Sequence, residues 1–326
     1  MRPVFHPELV NGDTGDPALF VDFQFMNMAF LIDLGDLSFL APRKMLRLHS
    51  VFVSHTHMDH FIGFDRLLRI LLGREKTVHF FGPPGFMVQV GAKLSAYTWN
   101  LVGNYSANLA LIVNELHPDG RCERARFESR RKFIPAFLEG AEISEGILID
   151  EPLYRIRTAF LDHAIPCLAF SIEEKSHANI WKSRLEEFGL APGPWLRELR
   201  EAVLRRDPDD TPIHVYGREM TLGQLWPAVR IVPGQRISYV TDARYDRANL
   251  ERIVNLADCS DLLFIEAMFL QEDRLHAEKK RHLTAWQAGE IGRLARAKCI
   301  VPFHFSPRYA GREASLRQEA QRAFNP

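Results

Sequence analysis

Residues 50–69 read "SVFVSHTHMDHFIGFDRLLR" and place His55, His57, Asp59 and His60 within six positions. The apolar run at 50–53 predicts a buried strand that ends where the histidines begin. The apolar spacing of "FIGFDRLLRILLG" predicts a helix stopping at Gly73. In an extended turn residues i and i+2 point the same way, so His55 and His57 can grip one cation together. Asp59 and His60 lie just beyond and can reach a second. Zinc accepts imidazole nitrogen and carboxylate oxygen, and a tetrahedral site needs few of them. Two cations that close would share a bridging ligand, ideally a carboxylate, and would acidify water toward neutral pH.

Such a site needs ligands from elsewhere in the chain. "ALFVDFQF" (18–25), "MAFLIDLG" (28–35) and "TVHFFGPPG" (77–85) also predict strands. "PLYRIRTAFLDH" predicts a strand ending at Asp162 and His163. "RISYVTDARYD" ends the same way at Asp242, "CSDLLFIEAMF" at Glu266, and "AKCIVPFHFSPRY" at His304. "TAWQAGEIGRLARAK" predicts an amphipathic helix. Sites in layered α/β proteins gather at strand ends, where loops hold polar groups without burying bare backbone. His163, Asp242 and His304 are therefore the candidate distant ligands. His6, His49, His79, His117, His177, His214 and His276 are read as structural or solvent-exposed.

The chain has 326 residues, 46% of them hydrophobic, enough for one large core with an added lobe. Lys+Arg and Asp+Glu each number 41, so there is no global basic footprint for nucleic acid, although a local basic face remains open. The apolar runs are broken by charges well short of a membrane span, and the N-terminal stretch has no signal-peptide pattern. Cys122, Cys167, Cys259 and Cys299 form no CxxC pair and read as buried, reduced thiols of a cytoplasmic protein. Residues 1–326 are expected to form a single domain. The stretch 172–236, with a Gly-Pro turn, a short charged helix and a polar loop, is expected as an arm or lid excursion within it. From residue 180 to 236 it carries 9 Lys/Arg and 8 acids, with Arg197, Arg200 and Arg205 placed to share a helix face.

"SHTHMDHFIGFDRLL" and "HLTAWQAGEIGRLARAKCIVPFHFSPRY" resemble the metallo-β-lactamase superfamily, and within it the tRNA 3′-end processing endonucleases, ribonuclease Z. "FGLAPGPWLREL" is similar to the Gly-Pro motif of that family's protruding tRNA-binding arm. The resemblance covers roughly residues 20–310. It implies an α/β fold, an αββα sandwich with two Zn²⁺ at one edge, Mn²⁺ or Fe²⁺ being the alternatives. It assigns His55, His57 and His163 to one zinc and Asp59, His60 and His304 to the other, with Asp242 bridging. It pairs Glu266 with His282 near the scissile phosphate and gives Gly193, Pro194 and Arg308 to substrate. It also implies a homodimer in which the arm reaches tRNA held by the partner subunit. The chain departs from the family in lacking its N-terminal Arg-Asn and Gly-Glu-Gly-Thr signatures. It has Thr241-Asp242-Ala243 for Gly-Asp-Thr and Ile265-Glu266-Ala267-Met268 for His-Glu-Ala-Thr. Residues 104–135, "NYSANLALIVNELHPDGRCERARFESRRKFIP", match nothing in the family, and the sequence does not show how 104–150 folds.

Two functions are thus expected. The first is a zinc phosphodiesterase cutting tRNA 3′ trailers, with Asp59 beside the attacking hydroxide and His282 protonating the leaving oxygen. The alternative keeps both zincs but acts on a small phosphodiester, lactone or thioester. The near-neutral arm favours the second, and the Gly-Pro motif and C-terminal block favour the first.

Overall fold

The computed structural model describes residues 5–24 and 26–326. Phe25, at the end of a predicted strand, and the His177 side chain lie outside the described residues. One sheet has eight strands in chain order: Phe5–Leu9 (β1), Leu19–Phe23 (β2), Ala29–Ile32 (β3), Leu48–Phe52 (β4), Lys76–Gly82 (β5), Leu109–Leu116 (β6), Arg121–Glu128 (β7) and Pro135–Glu142 (β8). Strands β3 to β6 run parallel, with helical crossovers, whereas β7 and β8 add antiparallel hairpins. Those hairpins account for most of segment 104–150, whose strands alternate too irregularly to be read from sequence.

The second sheet begins with Ile147–Asp150 (β9), Tyr154–Asp162 (β10) and Pro166–Glu174 (β11). Four short strands follow: His177–Ile180 (β12), Pro212–Val215 (β13), Arg218–Thr221 (β14) and Val229–Val232 (β15). The chain then returns to the second sheet with Arg236–Val240 (β16), Leu262–Glu266 (β17) and Ile300–Phe303 (β18), giving the order β18-β17-β16-β11-β10-β9. The last three strands are parallel.

Alternation along these strands sorts the core into layers. Leu31, Val51, Val78 and Phe80 face Phe64, Leu67, Phe86 and Val90, which lie on helices Phe64–Leu71 and Phe86–Ser95. On the far side, Val240, Leu263 and Ile265 pack with Ile253, Ala288, Ile291 and Leu316 of three helices. Between the sheets lie aromatic rings, with Phe52 at 5.5 Å from Phe170 and Tyr239 at 5.1 Å from Phe303. This is a helix–sheet–sheet–helix sandwich.

Residues Met1–Asp150, Ile156–Ile172 and Arg236–Pro326 make one compact unit, and Glu151–Arg155 with Glu173–Gln235 make a second. The second unit has its own core of Trp195, Leu199, Val203, Ile213, Val215, Leu222 and Leu225. All four cysteines are free, but only Cys122 and Cys167 are buried. Cys259 and Cys299 are exposed, contrary to expectation. Cys259 sits in the turn after helix Arg247–Ala257 at φ 55°, and Cys299 precedes β18, so neither reaches an inner face.

Candidate metal centre

Strand ends deliver the site. His55 follows β4, His163 follows β10, Asp242 follows β16, Glu266 ends β17 and His304 follows β18. His57 is extended, and Asp59 and His60 lie just beyond it on a one-turn helix, Met58–Phe61. Asp242 (φ 48°) and His304 (φ 60°) occupy the left-handed region, a costly backbone state that gathers at functional sites.

Three groups of donor atoms form, each with members within 4.8 Å of one another: His55, His57, His163 and Asp242; Asp59, His60 and His304; and Asp242, Glu266, His282 and His304. Asp242 divides its two oxygens between the first two. Its Oδ2 lies 3.4 Å from both His55 Nε2 and His163 Nε2. Its Oδ1 lies 3.5 Å from His60 Nε2 and 3.0 Å from His304 Nδ1. Asp59 Oδ2 closes the second group at 3.5 Å from His60 Nε2 and 3.3 Å from His304 Nε2. Ligands about 2.1 Å from one tetrahedral ion lie roughly 3.4 Å apart, so most of these spacings suit shared cations.

The buried polar atoms test the fit. His55 Nε2 and His60 Nε2 are buried without a hydrogen-bond partner, a costly state unless something binds them. Their other nitrogens are held from behind. Asp33 accepts from His60 Nδ1 at 2.9 Å, from Ser54 N at 2.7 Å and from Tyr239 Oη at 2.8 Å. Ser54 Oγ lies 3.1 Å from His55 Nδ1. His163 Nδ1 donates to the Arg281 carbonyl at 2.8 Å. Such outer partners turn Nε2 toward the centre.

Charge makes the same demand. Burial, then the neighbouring His60 charge, drives His55 down to about 2, so its imidazole is neutral with a free lone pair. Burial works to raise Asp59, but the His304 hydrogen bond and His60 outweigh it and hold it down at about 2. Burial likewise opposes ionisation of Asp242, yet His60 and His304 hold it well below the usual range. Burial pushes His304 down, and Asp242 and Asp59 more than reverse that, lifting it to about 9. The carboxylates are thus ionised by the positive charge of His60 and His304, and a divalent cation held by the neutral imidazoles would supply that charge in their place.

No family model matches the chain. It is 30% identical to ribonuclease Z of Deinococcus radiodurans over 267 residues, 81% of this chain and 77% of the relative. The chain belongs to the ribonuclease Z family. It is also 25% identical over 287 residues to ribonuclease Z of Methanosarcina mazei, 87% of this chain and 79% of that one. Among solved structures, the short form of human tRNase Z matches with a TM-score of 0.54 at 18% identity, covering 94% of this chain and 93% of that one. The metallo-β-lactamase fold protein YhfI from Bacillus subtilis matches with a TM-score of 0.55 at 16% identity, covering 97% and 92%. Both share the fold. Membership of the ribonuclease Z family makes this protein a metal-dependent hydrolase of the metallo-β-lactamase fold.

In this ribonuclease Z family member, His282 Nδ1 sits 2.8 Å from Glu266 Oε2 at the edge of the cluster. Arg308 lies in the turn Pro307–Tyr309, half-exposed and 3.3 Å from Asp273. Gly193 and Pro194 belong to the second unit, where Pro194 starts helix Trp195–Arg205. A Cβ on Gly193 would meet Tyr216 Oη at 2.3 Å, so no larger residue fits without movement. Arg197 and Arg205, on the charged helix of this unit, pair with Glu201 at 2.9 Å and Asp207 at 2.7 Å. Sequence reasoning passed over Ser54, Tyr239 and Arg281, which act only through other residues. Asp33 falls near the end of the predicted strand "MAFLIDLG", and its place beneath His60 shows only in the fold.

Proposed function

We propose that this protein is a two-zinc endoribonuclease that removes the 3′ trailer from precursor tRNA. The division of Asp242 between two imidazole groups carries the reading, because one carboxylate facing two donor sets suits a pair of cations. His55, His57 and His163 would hold one Zn²⁺, Asp59, His60 and His304 the other, and Asp242 both. Bound there, the cations would supply positive charge to a phosphodiester and lower the pKa of water at the site. The relatives' name, ribonuclease Z, and the fold neighbour's, tRNase Z, support RNA and tRNA as substrate.

The side chains do the rest. Asp59 is ionised and partly exposed, so it can take the proton of the attacking water. As the water oxygen bonds to phosphorus, the P–O3′ bond breaks. His282, with Nδ1–H fixed on Glu266, carries a proton on Nε2 that it gives to the departing 3′-oxygen. The products are a tRNA 3′-hydroxyl and a trailer 5′-phosphate. The Gly193–Pro194 arm and Arg308 would contact the RNA.

Assembly as a homodimer in the cytoplasm belongs to this reading. Among the described residues no helix is long and apolar enough to cross a membrane.

One observation favours a small diester instead: within the second unit Arg184, Arg197 and Arg205 are all neutralised by nearby acids. A paired assay separates the two readings. Zinc-loaded protein is given precursor tRNA with a 3′ trailer, or an activated small phosphodiester. Cleavage at the trailer junction supports the proposal, and turnover of the diester alone discards tRNA.

A further inference from the structure

We propose a separate divalent-cation site at Glu115, His117 and Glu123, on the hairpin that joins β6 to β7. None of the three belongs to the main centre. Glu115 and Glu123 stand directly opposite each other across the strand pair. Two carboxylates in that relation repel unless positive charge lies between them. His117 is two residues beyond Glu115, so it projects to the same side of the hairpin. Its backbone is fixed: its N–H donates to the Arg121 carbonyl at 2.9 Å, and its carbonyl accepts from Gly120 N at 3.0 Å. Gly120, at φ 89°, makes the turn possible.

The donor atoms face one another. His117 Nε2 lies 3.6 Å from Glu115 Oε1 and 3.5 Å from Glu123 Oε1. These distances are too long for hydrogen bonds, so an imidazolium clamp fits poorly. They match two edges of a tetrahedron around one ion, whose ligands lie roughly 3.4 Å apart. Nε2 is itself buried and without a hydrogen-bond partner. Glu115 is only 8% exposed, and its other oxygen accepts from Met87 N at 2.8 Å, which turns Oε1 to the imidazole. The competing cation is Arg121, whose Nη1 is 3.7 Å from Glu123 Oε1, but its Nε is committed to Asp119 at 2.6 Å.

One imidazole and two carboxylates suit Zn²⁺, Mn²⁺ or Co²⁺. Glu123 is half-exposed, so water completes the shell. Such an ion staples the β6–β7 hairpin, the point where the first sheet turns from parallel to antiparallel pairing.

The test is metal counting on full-length protein, stripped of metal, dialysed against Zn²⁺ and analysed by mass spectrometry. His117→Ala and Glu123→Gln should each bind one equivalent fewer than wild type, and zinc should raise their melting temperatures less. The same one-equivalent loss should follow when His117→Ala is added to an Asp242→Ala protein, whose main centre is already broken. Glu123 is exposed enough that its glutamine variant folds even if His117→Ala does not. Equal zinc content in wild type and Glu123→Gln overturns the site, whatever the main centre binds.

Discussion

His282 Nδ1 lies 2.8 Å from Oε2 of the fully buried Glu266. A carboxylate can only accept, so Nδ1 keeps a proton throughout, and Nε2 is the atom that takes up and gives away the second one. Glu266 Oε1 is itself fixed by the Ala243 N–H at 2.8 Å and the Leu283 N–H at 3.2 Å. His282→Ala should therefore lower kcat by about 10²- to 10⁴-fold, the usual loss for a general acid. Bound zinc, measured by metal analysis, should not change. Loss of zinc along with activity would make His282 a ligand instead.

The Asp33 knot gives a stability prediction. Tyr239 Oη donates to Asp33 at 2.8 Å across the two sheets, and both groups are buried. Tyr239→Phe removes one hydrogen bond to a charged acceptor, which costs about 1.5–3 kcal/mol. Urea unfolding should show that loss. Zinc affinity should fall about 10- to 100-fold as well, because Asp33 orients His60. An unchanged midpoint would mean that the phenol is not needed there.

Much of this was legible before the structure. The strand-end rule picked His163, Asp242 and His304 because each follows an apolar run and falls in a loop. The donors of Asp33 were not legible, since Ser54 and Tyr239 look like ordinary strand residues and meet Asp33 only through sheet packing. Residues 104–150 were unreadable for a related reason. β6 is buried along its whole length and lacks alternation, while β8 is almost wholly exposed. His117 reads from sequence as structural or solvent-exposed, and only the β6–β7 register brings Glu123 to it.

Charge in the second unit is tied up locally. Glu201 holds Arg197 at 2.9 Å. If this unit grips RNA phosphates, freeing that guanidinium should help. Glu201→Gln should tighten precursor-tRNA binding, steepen its salt dependence and leave small-diester turnover unchanged. Filter binding over a salt series reads all but the last. Equal affinity for the two proteins would remove this helix from the RNA contact.

Thiol labelling tests the burial pattern. Cys259 and Cys299 are exposed and should react quickly, whereas Cys122 and Cys167 should wait for unfolding. Burial, reinforced by Asp242, holds the Cys167 thiol well above its ordinary value of 9.0. The folded chain therefore keeps that proton more tightly than the unfolded chain. This contribution to stability is full below about pH 9 and is lost as the pH rises through the folded value. Two fast thiols at pH 8, and four in denaturant, are expected by absorbance titration. Fast labelling of Cys167 in the folded protein would contradict the buried sheet face assigned to it.

The most direct measurement is anomalous scattering from zinc in crystals of the metal-loaded protein. At the strand-end cluster, apart from any peak at Glu115, His117 and Glu123, two peaks should stand about 3.5–4 Å apart, the spacing of two-metal sites. One should touch His55, His57 and His163, the other Asp59, His60 and His304, with Asp242 between them. A single peak at that cluster, or two there that do not share Asp242, would contradict the two-cation account.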